Sequence, residues 1–211
     1  MSRIAVLGAT GGVGRLIVDR LLDIRLSVTA QTRLAARLAD RAGHAKVVAF
    51  DPTRPDGYPS FLEGADAVVF ALGAKTLRAT TLFSDATRHL LAAMAQAGIK
   101  RLVAITGVGA GETRGHGGFT YNRLIFPLIT GRIYADKDRQ EAAITASDLD
   151  WTILRPAPFR DAMPEAPMEI VTDIPADLQL TGITRAEVAD MAVRCLTDGL
   201  HIKQKVFFGH A

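Results

Sequence analysis

One cysteine in 211 residues leaves no disulfide framework and no thiolate metal cluster to consider. Cys195 falls on a helical pattern and reads as a small buried apolar group. Long apolar runs are missing too: none reaches the ~18 residues that a membrane span requires. The apolar start RIAVLG has no basic flank and no long hydrophobic region of the kind a leader carries. The expectation is a soluble, cytoplasmic protein in a reducing compartment. Excess charge is scarce as well. A net charge of +3, with the arginines spread along the chain, provides no basic stripe for nucleic acid. Neither nucleic acid nor membrane is an expected partner, no metal is expected, and the chain is compatible with a monomer or a homodimer.

What is present is alternation. Arg3 to Leu7, Leu26 to Thr32, Lys46 to Phe50, Asp66 to Leu72, Arg101 to Thr106 and Asp150 to Leu154 are short, apolar, β-branched runs. Continuous apolar strands of this kind belong to a sheet covered on both faces. Between them, segments 12–23, 33–43, 80–98 and 135–147 place apolar residues at helical spacing, and two of these stop at a glycine. The pattern predicts an α/β fold with a Rossmann-type, doubly wound, mainly parallel sheet. No linker or repeat divides residues 1–211 into separate domains. After Pro156 the pattern loosens, and residues 156–183 are expected to form a small substrate-side cap. One more helix (184–198) and a strand (205–209) follow.

The chemistry starts at 4-IAVLGATGGVGR-15, where Gly8, Gly11 and Gly14 follow a strand and open an amphipathic helix. That context is the one a dinucleotide pyrophosphate site requires. Glycines there serve a tight turn, backbone approach to phosphate, and close helix packing. The amides of Gly11, Gly12 and Val13, with the helix dipole behind them, suit negative charge, and Thr10 can add a hydroxyl. The second strand ends in Gln31-Thr32-Arg33 without an acid, so NADP(H) is expected over NAD(H): a guanidinium suits a ribose 2′-phosphate. Arg37, one turn on, either reinforces that site or is simply solvated. Asp51 after the third strand is either an acid near the adenine or a turn cap. Leu72 and Gly73 after the fourth strand can pass close to a cofactor ribose.

Together with GIKRLVAITGVGAG, YADKDRQEAAITASDLDWTILRP and GITRAEVADMAVRCL, these motifs resemble the atypical short-chain dehydrogenase/reductase group. The NmrA-like and biliverdin-reductase-B-like (flavin reductase) branches are the most similar. The resemblance covers nearly the whole chain and implies a bound NADP(H), with a substrate pocket between the sheet and the cap. It also implies that Lys137, with Glu141 four residues on, is the lysine that holds nicotinamide ribose hydroxyls. Pro156 and Phe159 then stand where the family's chain passes the nicotinamide.

By the same correspondence, the tyrosine that should precede this lysine by four is Ile133, and the serine after the fifth strand is replaced by Thr106 and Gly107. Tyr134 is rotated by roughly 100° around the helix from the required position. Thr106 remains a candidate for hydrogen bonding to an acceptor oxygen, or it satisfies local backbone. Without a positioned acid, worth roughly 10² to 10⁴ in rate, carbonyl reduction is disfavoured. Hydride transfer to a flavin, quinone or other small planar redox substrate is the expected function. The alternative is a non-catalytic redox sensor or regulatory protein of the NmrA type. Substrate walls are sought in the glycine-rich loop 107–119, a candidate mobile lid, and in Phe119, Tyr121 and Phe126. His116 is a further contact candidate, and Arg155 is either an ion-pair partner or faces an anionic substrate.

Overall fold

The computed structural model describes residues 2–41, 43–74, 80–120, 122–124, 131–162 and 167–211. Eight strands form one sheet: β1 (Arg3–Leu7), β2 (Ser27–Thr32), β3 (Lys46–Ala49), β4 (Ala67–Phe70), β5 (Arg101–Ile105), β6 (Asp150–Pro156), β7 (Glu169–Val171) and β8 (Gln204–Gly209). Their spatial order is β3-β2-β1-β4-β5-β6-β8-β7, and every neighbouring pair is parallel except β7 with β8. The expected doubly wound sheet is therefore present. Its order reverses between β1 and β4, and a sheet of this kind opens a crevice at that point, beyond the carboxyl ends of its strands.

The helices are α1 (Gly12–Asp23), α2 (Tyr58–Leu62), α3 (Leu82–Ala97), α4 (Gly131–Thr145) and α5 (Arg185–Thr197). On one face of the sheet α1 buries Gly14, Ile17, Val18 and Leu21, a stripe at three- and four-residue spacing, in a core shared with Val188, Ala192 and Leu196 of α5. On the other face, Phe83, Leu90 and Met94 of α3 pack with Phe61 of α2 and Ile144 of α4. α3 ends on Gly98 at φ +70°, a left-handed cap that costs glycine little. Cys195 is fully buried, and burial pushes its thiol up to about 11, which leaves it unreactive.

Three local expectations are corrected. The described residues of 33–43 form no α-helix. Ala35–Arg41 makes 3₁₀ turns broken at Leu38 (φ −123°), the segment's one core anchor, while Arg41 is held by Asp19 through two bonds of 2.7 Å. The fourth strand is shorter than Asp66–Leu72: Asp66 accepts from the Arg3 amide at 3.0 Å, and the chain leaves the ladder after the Ala71 amide donates to the Leu7 carbonyl at 2.8 Å. In the stretch that looked irregular, β7 pairs with β8, and α2 was missed because it is only one turn long.

Candidate functional site

At the switch point the chain turns from β1 into α1 through the glycine loop. Gly8 adopts φ +88°, and a Cβ there would lie 2.7 Å from the Ala71 carbonyl oxygen. Only glycine meets both demands. Gly14 plays the packing role expected of the third glycine, since its Cβ would come within 2.2 Å of the Gly8 oxygen. The Gly8 amide donates to Gln31 Oε1 at 3.0 Å, and Gln31 Nε2 donates to the Phe50 carbonyl at 2.8 Å. The end of β2 is thereby committed to scaffolding by a neutral side chain.

Beyond these turns lies a cleft of about 720 Å³. Its walls include Gly8, Thr10, Gly11, Gly12 and Val13 of the loop, Arg33 and Arg37 beyond β2, and Leu72 and Gly73 beyond β4. Thr106, Lys137, Phe159 and Arg185 close the far side. Four of the lining side chains are cations, and none among the described residues is a carboxylate. A polyanion of dinucleotide size fits this lining: the glycines leave the loop amides approachable, and the cations offset phosphate charge.

Lys137 reaches the cleft from α4 and donates to the Thr106 carbonyl oxygen. Its ammonium also lies 5.2 Å from the ring centres of Phe83 and Tyr134. Burial pushes its pKa down to about 8, against the opposing pull of the Glu141 charge. α4 is itself fixed to α3 by buried Asp136, whose carboxylate accepts the Phe83 amide at 2.8 Å at the start of that helix.

Behind the cleft, Thr106 Oγ1 donates to Glu141 Oε1 at 2.7 Å. Glu141 is paired with Arg155, Nη2 to Oε2 at 2.5 Å, and Arg155 Nη1 meets Glu112 at 2.6 Å. Burial works against the Arg155 charge, yet the two carboxylates hold its pKa above the ordinary range. Glu112 is held down to about 2: burial opposes its charge, but its own backbone amide and Arg155 outweigh that. Arg155, at 2% exposed, is thus a structural ion-pair partner and does not face an anionic substrate. The single hydroxyl proton of Thr106 is already used on Glu141.

Several anticipated site residues lie elsewhere. Pro156 is buried within β6, opposite Phe208, because the strand runs two residues further than expected. Asp51 is exposed and turned onto its own turn, accepting from the Thr53 amide at 3.0 Å and hydroxyl at 2.8 Å; Pro52 lines the cleft instead. Its pKa is lowered, first by those Thr53 bonds and further by the charges of Arg33 and Arg54. Phe119 is 80% exposed and is no cleft wall. The loop before it is pinned where Gly118 donates to Gln179 Oε1 at 3.0 Å and Leu180 donates to the His116 carbonyl at 3.0 Å. His116 Nδ1 bonds the Leu178 carbonyl at 2.7 Å, so this histidine ties the same loop down. Tyr121 and Phe126 lie outside the described residues.

Ile133 packs against the apolar core, while the Tyr134 hydroxyl sits 2.7 Å from where a Cβ on Gly107 would be. Tyr134 is buried and does not line the cleft. Arg185, which does, was not anticipated.

This site is carried by a recognisable family. Residues 8–199 match the family model described as NAD(P)H-binding. The chain belongs to that family. It is 31% identical over 168 residues to the UPF0659 protein YMR090W of Saccharomyces cerevisiae, covering 73% of this chain and 68% of the yeast protein. The same fold recurs in ChuY, an anaerobilin reductase from Escherichia coli O157:H7, with TM-score 0.82 and 20% identity over 99% of this chain and 97% of that one. A short-chain dehydrogenase/reductase from Veillonella parvula DSM 2008, solved in complex with NADP, aligns with TM-score 0.80 and 16% identity over 99% and 94%. The family match bears out the NAD(P)H-binding part of the resemblance drawn from the motifs, and the solved structures share its fold. Among the described residues, no helix is long and apolar enough to cross a membrane.

Proposed function

We propose that this chain binds NADP(H) in preference to NAD(H) and uses it to reduce a flavin, quinone or similar planar acceptor. The observation that carries the reading is the composition of the cleft wall: four cations, no carboxylate and no tyrosine among its described residues. Arg33 and Arg37 stand at the end where a ribose 2′-phosphate needs charge. A ribose gripped through its 2′-hydroxyl needs an acid at that place, and Gln31 and Thr32 provide none.

A bound nicotinamide supplies a hydride, two electrons with one proton, and the acceptor's second proton comes from solvent. The protein's share is to bind and orient. Lys137 donates one ammonium proton to the Thr106 carbonyl, and its remaining protons would hold the ribose hydroxyls of a bound nicotinamide. Leu72, Leu82, Ile105 and Phe159 give the cleft its apolar surface, against which planar rings can stack. Thr106, committed to Glu141, fixes the end of β5 to α4 and carries no acid role. The fold shared with an anaerobilin reductase supports a reductase over a binding-only protein.

The test is anaerobic NADPH oxidation by purified protein against FMN, riboflavin and a series of quinones, with NADH as control. Saturable turnover with one of these, faster with NADPH, is the expected result. Tight NADPH binding with no turnover across the panel would replace the reductase with a redox-sensing protein.

A further inference from the structure

Arg185 is the first residue of α5, 173 positions after the glycine loop it faces. Its place is set by the capping box before it: Thr184 Oγ1 accepts from the Glu187 amide at 3.2 Å, and Glu187 Oε2 accepts from the Thr184 amide at 2.8 Å. From that fixed start the side chain crosses the mouth of the loop. A Cβ on Gly12 would lie 2.9 Å from Arg185 Cδ and 3.1 Å from Nε, so the absence of a side chain at Gly12 is what admits the arginine. Its guanidinium carbon stands 5.1 Å from the ring centre of Phe159, which supports it from the other side.

The charge partner of this arginine is weak. Nη1 is 3.5 Å from Asp161, a carboxylate on the surface with a fully exposed side chain. By contrast, Arg41 and Arg155 are each held by a carboxylate at 2.7 Å or less. Arg185 is therefore a cation braced by an aromatic ring beside amides that favour negative charge, with only a loose ion pair to give up.

Resting on the reading of the cleft as a dinucleotide site, we propose that Arg185 is a second anchor for the cofactor pyrophosphate, exchanging Asp161 for phosphate oxygens when the dinucleotide binds. The exchange is favourable because a guanidinium forms paired, charge-assisted bonds to phosphate, whereas an exposed ion pair contributes little. It also joins the two ends of the chain at the site. Phe159 and α5, from the last third of the sequence, close over the loop from the first.

Arg33 and Arg185 then have separable signatures, since the pyrophosphate is common to both dinucleotides and the 2′-phosphate is not. Arg185→Gln keeps the length of the stem over Gly12 and removes the charge. It is expected to raise the Kd of NADPH and of NADH by the same factor, about 10- to 100-fold for a lost charged hydrogen bond. Inorganic pyrophosphate is expected to compete with NADH on the wild type and to lose potency on this variant in parallel. Asp161→Asn removes the competitor and should tighten both dinucleotides by a few fold. The thermal midpoint of each ligand-free variant, matched to the wild type, reports that the fold is intact. Unchanged affinities in Arg185→Gln, or a loss confined to NADPH, would overturn the assignment. Wild-type protein that binds neither dinucleotide would overturn the cleft reading itself, and this inference with it.

Discussion

Removing Arg33 separates cofactor choice from cofactor binding. The side chain is exposed at the cleft edge, and the residues before it offer no acid: Gln31 is buried and committed to Gly8 and Phe50. A hydrogen bond to a charged group is worth about 1.5–3 kcal/mol, and an exposed guanidinium, screened by water and salt, falls at the low end. About 1.5 kcal/mol corresponds to roughly tenfold in affinity. Arg33→Ala should therefore raise the Kd of NADPH about tenfold and change that of NADH less than about twofold. Arg37, also exposed on the cleft wall, should carry part of the remaining preference. Titration of protein into reduced dinucleotide, followed by nicotinamide fluorescence, gives both constants, and the gap should narrow at high salt. Equal wild-type affinities for NADPH and NADH would refute the reasoning, as would an Arg33→Ala variant that weakens both alike.

Other consequences can be checked independently. Gly11→Val places a branched side chain where even a Cβ lies 3.3 Å from the Gly8 carbonyl oxygen, so dinucleotide binding should disappear in a calorimetric titration. Tyr134→Phe should leave NADPH-dependent turnover within a few fold, because Tyr134 does not line the cleft; a loss of about 10² or more would place the acid there after all. For Lys137, pKa about 8, cofactor affinity should fall as pH rises through that value and the ammonium is lost, and Lys137→Met should abolish the limb. The sign for stability is opposite. Between about 8 and the ordinary lysine value of 10.5 the unfolded chain binds more protons than the folded one, so stability should rise with pH across this window in the wild type, with no such rise from this group in Lys137→Met.

The parts of the site that depend on local spacing were legible in the sequence. The glycines, Arg33 and the helix they open lie within one strand-turn-helix-strand unit, where apolar period and turn chemistry agree. Residues 33–43 misled because alternating Arg, Leu and Ala imitate a helical stripe, whereas among the described residues of this segment only Leu38 is buried and Arg41 is drawn to Asp19. Lys137 and Glu141 were found as a pair by resemblance, but the direction of the pair was not. Glu141 turns away from the cleft toward Arg155, an ion pair whose members lie on different elements, α4 and β6. Phe119 illustrates the weakness of composition as a guide to substrate walls: an aromatic in a glycine-rich loop says nothing about which way the loop is pinned. Arg185 falls inside GITRAEVADMAVRCL, a stretch that carries the family resemblance, but nothing local marks it as a cleft residue, since its partners Gly12 and Phe159 meet it only through the sheet order.

On the proposed function, this cleft orients NADPH for hydride transfer without a tyrosine acid. Single-turnover mixing of NADPH-loaded protein with FMN or a quinone, without oxygen, tests it most directly. The reduced nicotinamide absorbance should be lost in step with reduction of the acceptor, at a rate that saturates with acceptor and survives in Tyr134→Phe. NADPH that stays bound and unoxidised with every acceptor would contradict that function.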